Sequence, residues 1–369
     1  MTRAQDGGTS YDRRRFLRTA GAGVLLASPL AAGLTSCGSD DESSGKKKRV
    51  RIAQTSPPLI TYPAVVWGPV TYGAEFGVPT TKKDFTTFEA QQTAIQSLLS
   101  GRADIVIGSF LGMLALATKR DDFITFGPSV DLDDFVLAGI KGVNDCDSVF
   151  DPKYKIGVDS PGGSGSSVLE AILQDGCDGR SQKELKNVRI IESSGLRTTS
   201  LASGEIQATV LHIDQTEQVK EKIGTADFHE IHALYKVKNF IRSAMATTRD
   251  WLDENEDAAA GLVAATFKAH RVMMKDYDKF VEAVKDVVDE PPTEDSAYRL
   301  VWNLARKYRF WPINAEESLQ QTGVDFMAKI GVSSGAFKKP PDTTKLVERK
   351  IIEKAEKMVG PMTREELLS

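Results

Sequence analysis

From residue 49 onward, short apolar runs alternate with amphipathic segments. Residues 49–55 alternate basic and apolar side chains as a strand does, and residues 91–99 place Ala94, Ile95, Leu98 and Leu99 at helical spacing. Residues 104–108 are a short apolar run typical of a buried parallel strand. The order strand, helix, strand, helix predicts an α/β fold.

A second set of elements of the same kind follows. The pattern predicts strands at 154–159, 188–191 and 208–213, with a helix at 166–173. Residues 133–140 have the pattern of an extended connection between the two sets, and residues 240–246 that of a matching return. A chain that leaves one α/β lobe, builds a second and comes back makes two crossings, which are hinge candidates.

The pattern changes after residue 250 to long amphipathic helices, predicted at 251–274, 277–288 and 296–308. Pro291-Pro292 separates the last two, because proline ends a helix. Their apolar faces are expected to cover the first lobe. We therefore predict lobe 1 at 49–137 and 237–335, lobe 2 at 138–236, and a peripheral C-terminal helix within 336–369.

The first 37 residues have the layout of an export signal. The run Asp12-Arg13-Arg14-Arg15-Phe16-Leu17-Arg18 resembles a twin-arginine signal, and Leu34-Thr35-Ser36-Cys37 resembles a bacterial lipobox. The alternative is a membrane-spanning or buried helix, but the apolar stretch 21–33 is interrupted by Pro29 and a span needs roughly 20 apolar residues. We predict a signal peptide at 1–36, lipid on Cys37, and a Gly/Ser-rich flexible tether at 37–48.

The composition then limits the kinds of molecule that the protein can bind. Residues 1–36 hold five basic and two acidic residues of the 47 and 51 in the chain, so the mature protein keeps 42 and 49, a formal charge of −7. This balance offers no general attraction to nucleic acid. An oxidising exterior would permit a disulfide between Cys146 and Cys177, but their spacing leaves the pairing open.

The best candidate for ligand chemistry is the turn Asp159-Ser160-Pro161-Gly162-Gly163-Ser164-Gly165, which lies between a predicted strand and a helix. Backbone N–H groups and hydroxyls at the positive end of a helix suit a carboxylate, a sulfonate, a phosphate or a polar ring edge. Alternatively the turn is only a helix N-cap. It has neither the Gly-Lys-Ser/Thr of a Walker loop nor the Gly-x-Ser-x-Gly of a nucleophile elbow.

Three other strand ends are expected at the same cleft, because ligands of open α/β sheets sit beyond the carboxyl ends of the strands. They contribute Ser56, Ser109 with Phe110, and Asp214, and Tyr62 supplies an aromatic wall. Each also has a simpler interpretation as a turn, a cap or a core residue. The one basic residue near a candidate loop is Arg197.

The sequence offers little for metal or covalent catalysis. Among the four histidines, His229 and His232 are closely spaced, but in a strand residues three apart point to opposite faces. No cysteine has a histidine near it in sequence. We expect no metal, no cofactor and no enzymatic activity.

Three segments carry a family resemblance. Residues 92–105 (QTAIQSLLSGRADI), 155–164 (KIGVDSPGGS) and 201–208 (LASGEIQA) are similar, in order and spacing, to steps of the solute-binding proteins of ABC importers. The similar group is that for nitrate, sulfonate, taurine and thiamine-pyrimidine precursors. At Tyr72-Gly73-Ala74-Glu75-Phe76-Gly77 the sequence departs from the group's clearer glycine-rich stretch.

The resemblance implies a periplasmic-binding-protein type II fold, whose two lobes close on one small molecule and offer it to a membrane permease and its ATPase. It implies contacts from Ser56, Tyr62, Ser109 and Phe110 on the first lobe. On the second lobe it implies contacts from Ser160, Gly163, Ser164, Gly165 and Asp214.

Two other functions stay open at this point. One is an enzyme of the thiamine-pyrimidine synthase type, although the cysteine-rich motif of those relatives is missing from this sequence. The other is a protein-binding sensor or surface component. We expect a monomer that binds a small organic solute, with an organosulfonate and a thiamine-precursor-like heterocycle as the leading options.

Overall fold

A computed structural model describes residues 49–88, 90–160 and 163–369. The predicted signal peptide, the lipid site at Cys37 and the tether up to residue 48 lie outside the described residues, as do Pro161 and Gly162 of the candidate turn. No helix in the described ranges has both the length and the apolar character needed to cross a bilayer.

Ten strands and fourteen α-helices make up the described part of the chain, joined by a few short 3-10 turns. The strands are β1 Ile52–Gln54, β2 Phe85–Thr87, β3 Ile105–Ser109, β4 Phe123–Val130, β5 Val136–Ile140, β6 Ile156–Val158, β7 Val188–Ile190, β8 Ala208–Leu211, β9 Phe228–Ala233 and β10 Ser243–Thr248. The helices are α1 Ala64–Tyr72, α2 Gln91–Leu99, α3 Phe110–Ala117, α4 Cys146–Val149, α5 Ser164–Gly176, α6 Ser194–Ser203, α7 Ile213–Ile223, α8 Arg249–Glu254, α9 Glu256–Lys275, α10 Tyr277–Val287, α11 Asp295–Lys307, α12 Gln321–Ser333, α13 Arg349–Val359 and α14 Arg364–Leu368.

The strands form two five-stranded sheets, in the orders β2-β1-β3-β10-β4 and β7-β6-β8-β5-β9. In the first, β1 runs parallel to β2 and β3, and β10 runs antiparallel to both neighbours. In the second, β6 is parallel to β7 and β8, and β5 is antiparallel to both neighbours. The two lobes, each defined by its sheet, therefore share one topology.

Two crossings connect the lobes, residues 131–135 between β4 and β5 and residues 237–242 before β10. They lie side by side, because the N–H of Arg242 donates to the carbonyl of Asp131 (3.0 Å) and the N–H of Leu234 donates to that of Phe135 (2.8 Å). Residues 133–140 and 240–246, which were predicted only as connections between the lobes, are longer than a crossing requires. Their remainders become strands β5 and β10, which pair inside the sheets.

The C-terminal helices complete the core of the first lobe. The single helix predicted at 251–274 is interrupted at Asn255, which ends α8 and precedes α9. Most of α9 is buried, and α13 packs against it. In α13, Ile351, Ile352 and Ala355 are fully buried, and Val347 forms a β-bridge with Thr125 of β4. The C-terminal segment therefore contributes to the core and is not confined to the periphery.

A disulfide joins Cys146 to Cys177, with their Cα atoms 5.5 Å apart. It ties the start of α4 to the residue that follows α5 across a sequence separation of 31. The pairing that the sequence left open is thus present in the second lobe.

We expect this disulfide to stabilise the protein by restricting the unfolded chain. Closing a loop of this length contributes about 3–4 kcal/mol in the chain-entropy description. Reduction should therefore lower the free energy of unfolding measured by urea denaturation. The double variant Cys146→Ser/Cys177→Ser should start at the lower value and show no response to reductant. A wild type that is equally stable with and without reductant would contradict the prediction.

Candidate functional site

A cavity of about 210 Å³ opens at the carboxyl ends of the first-lobe strands. β1 and β3 are adjacent and parallel, so the residues that follow them, Ser56 and Ser109, meet at one edge. Ser164, the first residue of α5, reaches the same cavity from the second lobe. The other residues that line it are Gln54, Thr55, Tyr62, Val65, Gln91, Ile107, Gly108, Ser129, Val130, Arg242 and Ser243. We call this cavity the cleft.

Hydroxyl groups dominate the first-lobe wall of the cleft. The Ser56 hydroxyl and the Tyr62 hydroxyl lie 3.0 Å apart, and Tyr62 also donates to the carbonyl of Pro57 (3.3 Å). Burial raises the pKa of Tyr62 above its ordinary value, so its hydroxyl stays protonated. The Ser243 hydroxyl donates to the carbonyl of Gly108 (2.8 Å). These hydroxyls thus form a neutral, polar part of the wall that its own hydrogen bonds hold in place.

One of these hydroxyls lacks a partner. Ser129 lies near the end of β4, is 1% exposed and lines the cleft, and its Oγ makes no hydrogen bond to any residue that the structure describes. A buried polar atom without a partner is costly, and such atoms are normally satisfied by protein, water or a bound molecule. The hydroxyl of Ser129 is therefore available to a molecule in the cleft.

Arg242, which the sequence analysis treated only as part of the return crossing, is the cation of the cleft. Its side chain is 20% exposed, and its Nε donates to Oδ2 of Asp133 at 3.1 Å. Within the described ranges, the structure gives no hydrogen bond for the two Nη atoms. The sequence signal for Arg242 was its position directly before β10, the strand that pairs with β3.

Behind Arg242 lies a buried polar cluster. Asp133 is fully buried, and Oδ1 of Asp134 lies 2.6 Å from Nδ1 of His212. Burial works against the charge on Asp133, but the positive charges of His212 and Arg242 outweigh it and lower the pKa. Burial raises the pKa of Asp134. The pKa of His212 is raised because the contact with Asp134 outweighs desolvation.

Single oxygen or nitrogen atoms of Asp133, Asp134 and His212 lie within 4.8 Å of one another, close enough to consider a cation. Arg242 already pairs with Asp133, and His212 with Asp134. A metal ion would have to displace both partners. The arrangement therefore fits a paired charge cluster better than a metal centre.

The Gly/Ser turn before α5 binds a carboxylate of its own chain. The Asp159 side chain accepts from the backbone N–H groups of Ser160 (2.7 Å) and Gly165 (2.9 Å). Gly163 precedes α5, and Gly165 is buried in its first turn. Of the predicted residues in this turn, Ser164 lines the cleft, whereas Ser160, Gly163 and Gly165 surround Asp159.

Two predicted contacts need correction. Phe110 is 0% exposed and belongs to the hydrophobic core, because its side chain points inward at the start of α3. Asp214 is exposed in the first turn of α7 and does not line the cleft. From that segment, His212 reaches the charge cluster instead.

Arg197 also differs from its expected position. It is 4% exposed, and its Nη1 donates to the carbonyls of Ile191 (2.7 Å) and Glu192 (3.0 Å). It stabilises the chain between β7 and α6 and is not in the wall of the cleft.

Comparisons with known proteins identify the fold of the chain. No family model and no curated protein matches the sequence. The periplasmic aliphatic sulphonate binding protein SsuA from Escherichia coli aligns with a TM-score of 0.61 at 11% identity, over 83% of this chain and 99% of that one. The periplasmic nitrate-binding protein NrtA from Synechocystis PCC 6803 aligns with a TM-score of 0.57 at 11% identity, over 84% and 88%.

The ligand binding component of an ABC-type import system from Staphylococcus aureus, solved with zinc bound, aligns with a TM-score of 0.59 at 16% identity, over 84% and 99%. With the two sheet orders and the paired crossings, these similarities define the class of structure. The chain has the two-lobed periplasmic-binding-protein type II fold, as the sequence analysis predicted.

The unpartnered hydroxyl of Ser129 has a measurable consequence in the absence of any ligand. Removing it in Ser129→Ala should raise the free energy of unfolding by about 1 kcal/mol, because the desolvation cost of the hydroxyl disappears. The matched variant Ser243→Ala removes a hydroxyl that does have a partner and should lower it by about 1 kcal/mol. Urea denaturation compares the two, and equal destabilisation would show that Ser129 already has a partner.

Asp131 in the first crossing should make stability depend on pH. Burial raises its pKa to about 7, even though Nε of Arg309 lies 3.0 Å from its Oδ2. Between about pH 4 and pH 7 the unfolded chain has released this proton and the folded protein has not, so the free energy of unfolding falls as pH rises. The loss amounts to as much as about 4 kcal/mol over roughly three pH units.

Unfolding curves recorded from pH 4 to pH 7 check this prediction. Asp131→Asn should lose that part of the pH dependence, and the exposed Asp214→Asn should retain it. Parallel curves for Asp131→Asn and the wild type would contradict the assignment.

Proposed function

We propose that this protein is the extracytoplasmic substrate-binding lipoprotein of an ABC importer. In this proposal a twin-arginine signal directs export, lipid on Cys37 holds the protein on the outer face of the membrane, and the tether to residue 48 leaves the lobes free. Lobe 1 contains the first sheet and the C-terminal helices, lobe 2 contains the second sheet, and the crossings at residues 131–135 and 237–242 separate them. The protein acts as a monomer that delivers solute to a permease and its ATPase.

The cleft is the observation that carries the proposal. It collects polar groups from the ends of β1, β3 and β4, from the return crossing, and from the start of α5 in the other lobe. A solute that contacts Ser56 or Ser109 and also Ser164 touches both lobes. Such a solute stabilises the closed arrangement, because only contacts with both lobes distinguish closed from open.

The size and chemistry of the cleft limit which solutes it can bind. The cavity volume of about 210 Å³ is the volume that roughly seven water molecules occupy in liquid water, so the solute is small. The free edge of Arg242 and the hydroxyls around it are donors suited to an oxyanion. Sulphonate and nitrate are the ligands named for two of the structural relatives. These points favour an organosulfonate or a similar small oxyanion over a neutral heterocycle.

The geometry supports capture rather than chemistry. Arg242 is positioned by Asp133, and neither Asp133 nor His212 lines the cleft. A solute therefore meets donors that bind and orient it. Closing of the lobes around the paired crossings would then remove it from water and present it to the permease.

Thermal-shift screening of residues 49–369 tests the proposal. The panel includes aliphatic sulfonates, nitrate, carboxylates, pyrimidines and amines. A ligand at 100 times its dissociation constant stabilises the folded protein by about 2.7 kcal/mol. We expect the midpoint to rise with one class of small oxyanion, and no shift with any small molecule would overturn the importer proposal.

The role of Arg242 is tested with the ligand from that screen. Arg242→Lys keeps a cation near Asp133 but loses the planar fork, and should weaken binding about tenfold in calorimetry. Arg309→Lys is the matched control, because Arg309 also pairs with a buried crossing aspartate but does not line the cleft. Equal affinities for the wild type and Arg242→Lys would remove Arg242 from the binding site.

A further inference from the structure

We propose that His212 and Asp134 form a proton site linked to the cleft, so that the protein takes up a proton there when an oxyanion binds at Arg242. The proton is then a second bound species, held by residues that do not line the cleft. This inference rests on the proposed function, because it concerns what accompanies the binding of an anionic solute.

The pair is a short contact between the second lobe and the outgoing crossing. Nδ1 of His212, the residue before α7, lies 2.6 Å from Oδ1 of Asp134. A ring nitrogen and a carboxylate oxygen repel each other unless a proton lies between them, so the pair holds one proton. The His212 side chain is 24% exposed, and Nε2 makes no hydrogen bond to any described residue. A second proton can therefore reach the pair from water.

Asp133 connects this pair to the cation of the cleft. It is fully buried, accepts from Nε of Arg242 at 3.1 Å, and accepts through Oδ1 from the N–H of Asp134 at 3.0 Å. Burial lowers the pKa of His212, Asp134 and Asp133 raise it, and Arg242 lowers it, with a raised pKa as the result. The proton on His212 thus responds to the charge at Arg242.

The charges of the cluster give the direction of this response. The pair of His212 and Asp134 has a net charge of −1 with one proton and is neutral with two. Asp133 and Arg242 compensate each other. An oxyanion at the free edge of Arg242 adds a negative charge, and a second proton on the pair reduces the excess. Anion binding therefore favours proton uptake, and by linkage the proton strengthens anion binding to the same degree.

Neighbouring titratable groups do not take over this role. Burial raises the pKa of Tyr62 and of Tyr235, so both hydroxyls keep their protons at neutral pH. β5, which packs against α7, contains only apolar residues and glycine. The charged groups of α7 and its other neighbours are either exposed or already bonded: Asp214, Asp227, Arg197 and Glu230.

Calorimetry measures the proton directly. Ethanesulfonate and nitrate are the probes, because these anions of strong acids bring no titratable proton. Titrations in buffers of different ionisation enthalpy, after metal ions have been removed with a chelator, should show uptake of about 0.3 proton or more per anion near neutral pH. Affinity should fall by about tenfold between about pH 6 and pH 9, because the second proton is lost as pH rises through the pKa of His212.

A double variant and a matched control assign the proton to the pair. His212→Asn/Asp134→Asn replaces both titrating groups with amides that can bond to each other, and should abolish uptake and the pH dependence of affinity. Asp131→Asn is the control, because Asp131 lies in the same crossing, is buried, has a pKa raised to about 7 by that burial, and pairs with Arg309 instead. It should take up the proton as the wild type does.

The coupling is also tested without any solute. NMR signals of the His212 ring, assigned by their loss in His212→Asn, report its protonation as pH is varied. Arg242→Gln removes the positive charge that an anion would compensate, and should move the His212 titration to higher pH. Asp133→Asn removes a negative charge and should move it to lower pH, which provides a second test if Arg242→Gln folds poorly.

Three results would overturn the inference: no proton uptake in the wild type, uptake that persists in the double variant, or a His212 titration that neither Arg242→Gln nor Asp133→Asn moves. Failure of every solute in the thermal-shift screen would instead contradict the proposed function. The His212 titrations would still decide whether the proton site and the charge at Arg242 are coupled.

Discussion

The ion pair between Arg242 and Asp133 is the constraint on which the rest of the site depends. Asp133 is fully buried, and a buried carboxylate without a cation is strongly destabilising. The pair therefore fixes the return crossing against the outgoing one, in addition to the backbone bond from Arg242 to Asp131. Because Asp133 engages Nε, the remaining edge of the guanidinium is held at the wall of the cleft.

The same contact explains why the crossings can act as a unit. The hydrogen bonds at Asp131 and Phe135 bracket the pair, and His212 joins the second lobe to it through Asp134. Arg309, in the turn after α11, pairs with Asp131. Movement between the lobes would thus be concentrated in two adjacent segments whose charges are paired, while the sheets on either side stay intact.

The cleft and the turn before α5 differ in charge. The first-lobe side contains a cation and several hydroxyls, whereas the turn of the second lobe contains a carboxylate that uses its own helix end. The unpartnered hydroxyl of Ser129 lines the same cleft as Arg242. A small molecule with one anionic end can contact both Arg242 and Ser129, which is why we favour a small oxyanion-bearing solute.

The sequence by itself determined the local elements and their order. The helix at Gln91–Leu99, the strand that begins near residue 105 and the turn before α5 depend on spacing within a few residues, so the pattern was sufficient to predict them. It also predicted that Ser56 and Ser109 meet, since the ends of adjacent parallel strands share an edge, and the tertiary structure brings Ser164 to the same cavity from the second sheet.

Only the tertiary structure decided which groups carry charge in that cleft. Asp133 and Arg242 are 109 residues apart, and no local pattern pairs them. The Cys146–Cys177 bond, the burial of Phe110 and the exposure of Asp214 likewise depend on how distant segments pack. Spacing fixes where a backbone turns, but the direction and partner of a side chain are set by burial, because a buried charge must find its counter-charge wherever the fold supplies one.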